Sequence, residues 1–407
     1  MLVQTTFFGA YGLGALAYYL YATFKTDLLN KIGYKNGIIL GLSFSAIGCA
    51  AFYPISFSNN YYIYLIPLFV IGIGFTILQI ACNPYVTMLG SEKTASSRLN
   101  LAQGINSLGT TLAPIIGSYF LLTNQDETQE LGQPFLILSA IFLLTIVFIH
   151  KQNLPEYKNK EELIKENILK YPQVKYGMIA IFLYVGAEVA IGSKLVEFLS
   201  LESIAGFSKN TAGTYVGIYW GGAMIGRLSS AFIFNSELTT FKRLLYSIGA
   251  TLFTIIIILI AIYLTIGLTI NDIYPLFFFI PIQFISLYIF KDSVANALSI
   301  FGLIIIVLLS IAYIFEGSIA LWSIISIGLF NSIMWSNIFS LSIQNLGNKT
   351  SKASSLLIIM IIGGAIFPLL MGIISDNFNL QIAYLFPIIA YIYISLFGLF
   401  ISKKTKN

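Results

Sequence analysis

The sequence predicts an all-α, polytopic membrane protein built as two related helix bundles, and three observations carry that prediction. Apolar runs of about 18 residues or more recur along almost the whole chain. Of its 407 residues 57% are hydrophobic and only 10% charged, where an ordinary soluble domain carries about 25% charge. A charged turn also returns at long period: Leu89-Gly90-Ser-Glu-Lys-Thr-Ala95-Ser-Ser97 is echoed by Leu346-Gly347-Asn-Lys-Thr-Ser-Lys-Ala353-Ser-Ser355. The run after each turn carries a Gly and a Pro, Gly109 and Pro114 in one, Gly363 and Pro368 in the other. A repeat of membrane hairpins is the plan of a two-halved transporter with its site between the halves.

Residues 1–24 hold no basic segment ahead of their apolar run, and the first lysine, Lys25, comes after it. This is a membrane helix rather than a signal peptide. Helices follow at 36–56, 61–89, 99–122 and 134–150, each bounded by charged breaks. A polar segment, 151–174, mixes lysine and glutamate at helical spacing and is expected to be a cytoplasmic linker helix. Beyond it come apolar runs at 175–200, 211–235, 243–268, 273–290, 293–315, 318–346, 353–375 and 380–402. The runs total about thirteen, an odd number, so the chain ends fall on opposite sides.

Charge orients them. All of the 22 basic residues except Lys194, Lys209 and Arg227 fall on alternate loops or at their edges, and such loops are cytoplasmic. The opposite loops hold Asp126, Glu127, Glu130, Asp272, Glu316 and Asp376. The C-terminus is thus expected in the cytoplasm and the N-terminus of this chain outside.

Composition narrows the chemistry. The two cysteines, Cys49 and Cys82, lie inside apolar runs and the single histidine, His150, at a helix end. No metal cluster or histidine-based triad can be assembled from these, so neither an enzyme nor a metal site is expected. No glycine-rich loop precedes a Lys-Ser/Thr pair, which argues against ATP as the drive. No cofactor and no nucleic-acid partner is expected.

Two stretches then resemble a known family. Asn83-Pro84-Tyr85-Val86-Thr87 with Leu89-Gly90, followed by Arg98-Leu-Asn-Leu-Ala-Gln103 and Asn106-Ser107-Leu-Gly109, resemble the fucose/galactose/hexose symporters of the major facilitator superfamily. In the second half Tyr184-Val-Gly-Ala-Glu188, Ile225-Gly-Arg227, Gly328-Leu-Phe-Asn331 and Ile362-Gly-Gly-Ala-Ile-Phe-Pro368 are similar to its glucose/galactose branch. The resemblance implies two pseudo-symmetric bundles, a central sugar site, alternating access and uptake driven by a cation, usually the proton. It divides the chain into an N-terminal bundle (1–150), a linker (151–174) and a C-terminal bundle (175–407). A monomer in the inner membrane is implied, with a hexose, a proton and the lipid bilayer as its partners.

The resemblance also marks departures. The chain starts at what looks like the family's second helix, so the first bundle is expected to be incomplete; the alternative readings are a non-transporting remnant and a transporter for another small solute. The runs within about 243–290 look like an inserted helix pair after the family's eighth. Gln79 stands where the fucose branch has an acid. The family's aromatic-Pro-Thr is Trp335-Ser336-Asn337 here, so a proline bend is expected to be lost.

Glu188 sits mid-helix, where an ionised carboxylate is costly unless paired or hydrated, and is the candidate proton-coupling group. Gln79, Asn83, Gln103, Asn106 and Asn331 both donate and accept, as a polyhydroxyl substrate requires, although buried amides also glue helices together. Tyr85, Tyr184 and Trp335 are candidates for stacking on a sugar face. Lys194 and Glu197, three apart on one helix face, are either a neutralised pair or a gate. Arg227 either reaches the headgroups or, as the resemblance suggests, clamps neighbouring helices.

Overall fold

A computed structural model describes residues 2–25, 28–58, 60–123, 132–156, 167–267 and 269–404, with the side chains of 116–123, 265, 266 and 348 left aside. In chain order the helices are α1 (Leu2–Phe24), α2 (Leu28–Ile32), α3 (Tyr34–Ile55), α4 (Leu65–Met88), α5 (Ala95–Thr123) and α6 (Gly132–Lys151). After the 151–174 segment come α7 (Pro172–Leu199), α8 (Lys209–Ile233), α9 (Thr240–Ile266), α10 (Leu276–Ile289) and α11 (Val294–Ile314). The last are α12 (Gly317–Asn331), α13 (Met334–Ile343), α14 (Thr350–Ile359), α15 (Gly363–Asn377), α16 (Leu380–Ala383) and α17 (Ile388–Lys404). Among the described residues, nine helical spans are long and apolar enough to cross a membrane. Of the predicted linker helix, 157–166 lie outside the described residues; the rest holds the end of α6, a non-helical stretch at 152–156, the turn Ile168–Lys170 and the start of α7.

The helices begin and end where the sequence supplies caps. Ser208, Thr239 and Ser293 accept backbone N–H groups at the starts of α8, α9 and α11. Gly267, at φ +70°, closes α9 in the left-handed conformation that glycine adopts without strain. Pro54, Pro84, Pro114, Pro281 and Pro368 lie inside helices, a placement that apolar packing tolerates in membrane helices.

Two runs read as continuous helices are interrupted. The 318–346 run breaks at Ser332-Ile333 into α12 and α13, and a 3-10 turn, Met360–Ile362, separates α14 from α15. The first break needs no proline. The Ser332 hydroxyl donates back to Leu329 O at 2.6 Å, a local serine-to-backbone bond of the kind that Ser229 and Ser230 also make in α8. The interruption lies next to Trp335-Ser336-Asn337, and Ser332 itself keeps helical dihedrals, φ -49° and ψ -48°.

Two compact units emerge. The first holds Met1–Leu89, Asn124–Phe182 and Ser342–Ile366. Within it α3 packs on α4 at Gly41 and Gly74, where a β-carbon on either would meet the other's carbonyl oxygen. Ring stacking of Phe52 on Phe135, 4.0 Å between centroids, and the Ser139 bond to Ala46 O at 2.9 Å join α3 to α6. The second unit holds Gly90–Thr123, Leu183–Leu341 and Phe367–Asn407. At its centre α8 lies between α5 and α12, its small residues letting backbones approach. A β-carbon on Gly222 would come within 3.1 Å of Leu329 N, and one on Gly328 would overlap Tyr219 O.

Candidate functional site

The close approach of α8 to α12 brings Arg227 to the break in the latter. Its Nε donates to Ser332 O at 3.2 Å, and Tyr184 on α7 donates to Asn331 O at 3.1 Å. Backbone carbonyls at a helix interruption in apolar surroundings need foreign donors, and these two side chains supply them.

The same guanidinium reaches two further helices. Nη1 donates to Ser107 Oγ on α5 at 2.7 Å, and Nη2 lies 3.4 Å from Glu188 Oε1 on α7. The side chains are 7% and 12% exposed, so this is a buried ion pair. Burying one charge alone would cost several kcal/mol, and the pair together with its hydrogen bonds offsets that cost. Arg227 thus bridges its own helix α8 to α5, α7 and the α12 break. Tyr184, one turn before Glu188, lies beside its carboxylate.

Asn331, the last residue of α12, extends the network. Its Nδ2 donates to Tyr219 Oη at 2.9 Å and its Oδ1 accepts from Tyr391 Oη at 2.8 Å. Of the residues singled out from sequence, Glu188, Arg227, Tyr184 and Asn331 therefore form one continuous buried network. Ser107, Tyr219 and Tyr391 belong to it and were missed, because a serine or tyrosine in an apolar helix carries no distinguishing pattern. Arg227 and Ser107 occupy adjacent faces of α8 and α5 that meet at Gly104, where a β-carbon would strike Leu228.

The remaining candidates fall elsewhere. Gln103 and Asn106 share one side of α5 with Thr110; Gln103 is half-buried, Asn106 exposed. Trp335 is buried and stacked on Phe339, 5.0 Å and 13° apart. Lys194 and Glu197 pair at 2.7 Å towards the end of α7. A second polar group joins α5 to α13: Asn337 Oδ1 accepts from Ser96 Oγ at 2.6 Å and Asn100 Nδ2 at 3.1 Å.

Gln79, Asn83 and Tyr85 belong to the first unit. The Asn83 amide donates to Gln79 Oε1, and Gln79 also bonds the buried Tyr11 of α1. Tyr85 stacks on Tyr34 with centroids 5.4 Å apart and donates to Pro155 O at 2.9 Å, so its ring and hydroxyl are both engaged.

Comparison with known proteins places this arrangement. The sequence profile of the Major Facilitator Superfamily matches residues 2–295. The chain is 37% identical over 414 residues to the glucose/galactose transporter of Brucella abortus, covering 99% of this chain and 85% of that one. It is 27% identical over 411 residues to the L-fucose-proton symporter of Escherichia coli, covering 93% of this chain and 81% of the relative. The crystal structure of the superfamily transporter FucP, in the outward conformation, superposes with a TM-score of 0.73 at 26% identity, over 98% of this chain and 89% of that one. A described fold of apolar helices, with buried charges and amides clustered between them, accords with these likenesses, and the chain belongs to the Major Facilitator Superfamily of membrane transporters, in the branch of the glucose/galactose transporters.

Proposed function

We propose that this protein imports a neutral hexose of the glucose/galactose type by symport with a proton, using alternating access. The observation that carries the reading is the buried Glu188–Arg227 pair set against the Asn331–tyrosine network. A carboxylate in such surroundings is neutralised either by its arginine or by a proton, and exchange between the two is what a proton-coupled carrier needs. The relatives named for glucose/galactose and for L-fucose and protons supply the substrate class.

In this reading Glu188 carries the proton and Arg227 reports its charge. Gln79, Asn83, Gln103, Asn106 and Asn331 hold sugar hydroxyls, with Tyr184 and Trp335 beside the ring, while the engaged Tyr85 shapes its end of α4. Lys194 and Glu197 serve the gate or the packing at the end of α7. Residues 1–150 and 175–407 work as two bundles joined by 151–174, in a monomer of the inner membrane with its C-terminus in the cytoplasm and the N-terminus of this chain outside. The distribution of lysines and arginines supports that orientation.

The test is uptake of radiolabelled D-glucose and D-galactose by transport-deficient cells expressing this chain. Accumulation above the external concentration, abolished by an uncoupler and by Glu188→Gln, is expected. Uphill uptake that survives both treatments would rule out proton coupling through Glu188, and no uptake of either hexose would rule out the substrate class.

A further inference from the structure

We infer that Ser107 is a positioning residue for cation coupling, the group through which α5 feels the charge state of Glu188; this rests on the proton-coupling reading above. Arginine presents its donors in a rigid planar fork, so fixing two of its nitrogens fixes the direction of the third. Here Nε is held by Ser332 O and Nη1 by Ser107 Oγ, which leaves Nη2 aimed at Glu188. The shortest of the three contacts, 2.7 Å, is the one to Ser107, and the contact to the acid is the longest at 3.4 Å.

The serine is itself oriented. Its hydroxyl hydrogen is donated to Gln103 O at 2.8 Å, which turns its lone pairs towards Arg227. One hydroxyl thus connects the ion pair to the turn of α5 that carries Gln103. Among the described residues, the ionisable groups around Glu188 are Arg227 of α8, Tyr184 of its own helix, and within electrostatic reach Tyr219 of α8 and Tyr391 of α17. Only Arg227 among them carries a charge at neutral pH. When Glu188 takes a proton, the guanidinium loses its counter-charge and keeps Ser332 O and Ser107 Oγ. Ser107 then bears a larger share in holding it, and the change at Glu188 is passed to α5.

Proteoliposomes holding the full chain separate this role from packing. Counterflow of D-glucose or D-galactose needs binding and reorientation but no net proton movement, whereas accumulation under an imposed pH gradient needs coupling. Ser107→Ala is expected to lower proton-driven accumulation about tenfold, the worth of one hydrogen bond to a charged group, to lower counterflow far less, and to move the pH midpoint of uptake. Ser107→Thr, which keeps the hydroxyl, restores both. Wild-type accumulation and an unmoved midpoint in Ser107→Ala, with Glu188→Gln unable to accumulate, would overturn the inference and leave the proposed function standing. Loss of counterflow in Ser107→Ala without rescue by Ser107→Thr would also overturn it, in favour of a packing role. Normal accumulation in Glu188→Gln would instead remove the proton-coupling reading, and the role of Ser107 with it.

Discussion

Gly226 of α8 lies so close to Ser332 at the α12 break that a β-carbon on the glycine would overlap the serine side chain. That approach is what lets Arg227, the next residue, reach a main-chain carbonyl across the interface. Gly226→Val should therefore separate the helices and lower the melting temperature in detergent, with a cost of about 1–3 kcal/mol typical of overpacking. Gly249→Ala, in a helix interior with nothing within 4 Å of the added carbon, is the control and should be neutral or slightly stabilising, by about 0.5–1 kcal/mol. Equal melting temperatures for the two variants would contradict the packing described.

Arg227→Ala should be worse than Arg227→Ala with Glu188→Gln. Removing one member of a buried ion pair strands the other and costs about 3–5 kcal/mol, whereas neutralising both relieves much of that penalty. Thermal melts of the single and double variants measure the difference. A double variant no more stable than Arg227→Ala would mean that Glu188 is not charged beside the arginine.

Asn331→Ala removes both amide bonds and leaves the Tyr391 hydroxyl without its acceptor. A loss of about 1 kcal/mol for each neutral hydrogen bond is expected, with hexose affinity reduced in counterflow. Asn331→Leu should be no better, since it fills space but satisfies neither tyrosine. Wild-type stability and affinity in both would remove Asn331 from the site.

Outside the helices, Asp272 accepts the Thr269 N–H at 2.7 Å and its hydroxyl at 2.9 Å, and these bonds, the backbone one first, hold the carboxyl below the usual carboxylate range. A carboxylate whose pKa is depressed on folding stabilises the loop above its unfolded pKa, and the effect is lost as pH falls through the folded value. Hydrogen exchange across 269–273 should accelerate in Asp272→Asn at neutral pH and match wild type once the pH is below the ordinary carboxylate range. Equal protection at neutral pH would show that the turn does not depend on this charge.

Much of this was legible in the sequence because membrane helices announce themselves by length and composition, and because Glu188 and Arg227 are conspicuous charges in apolar runs. Their pairing was less legible. It depends on glycines at 222, 226 and 328 that set how closely α8 meets α12, and a glycine in a run does not say which helix it faces. Ser107, Tyr219 and Tyr391 were invisible for a related reason: their chemistry appears only when three helices converge on one arginine or one amide. The break at Ser332 escaped because a helix interruption was sought only where the family has a proline, at Ser336, and an apolar run with no proline or charge reads as continuous helix.

That interruption has a consequence for motion. A proline bend is written into covalent geometry and persists in every state of a protein. The interruption between α12 and α13 is held by a serine hydroxyl, a tyrosine and an arginine, each of which can exchange partners. Such contacts can be released one at a time, so the junction of the two helices can follow any rearrangement of the network around Arg227.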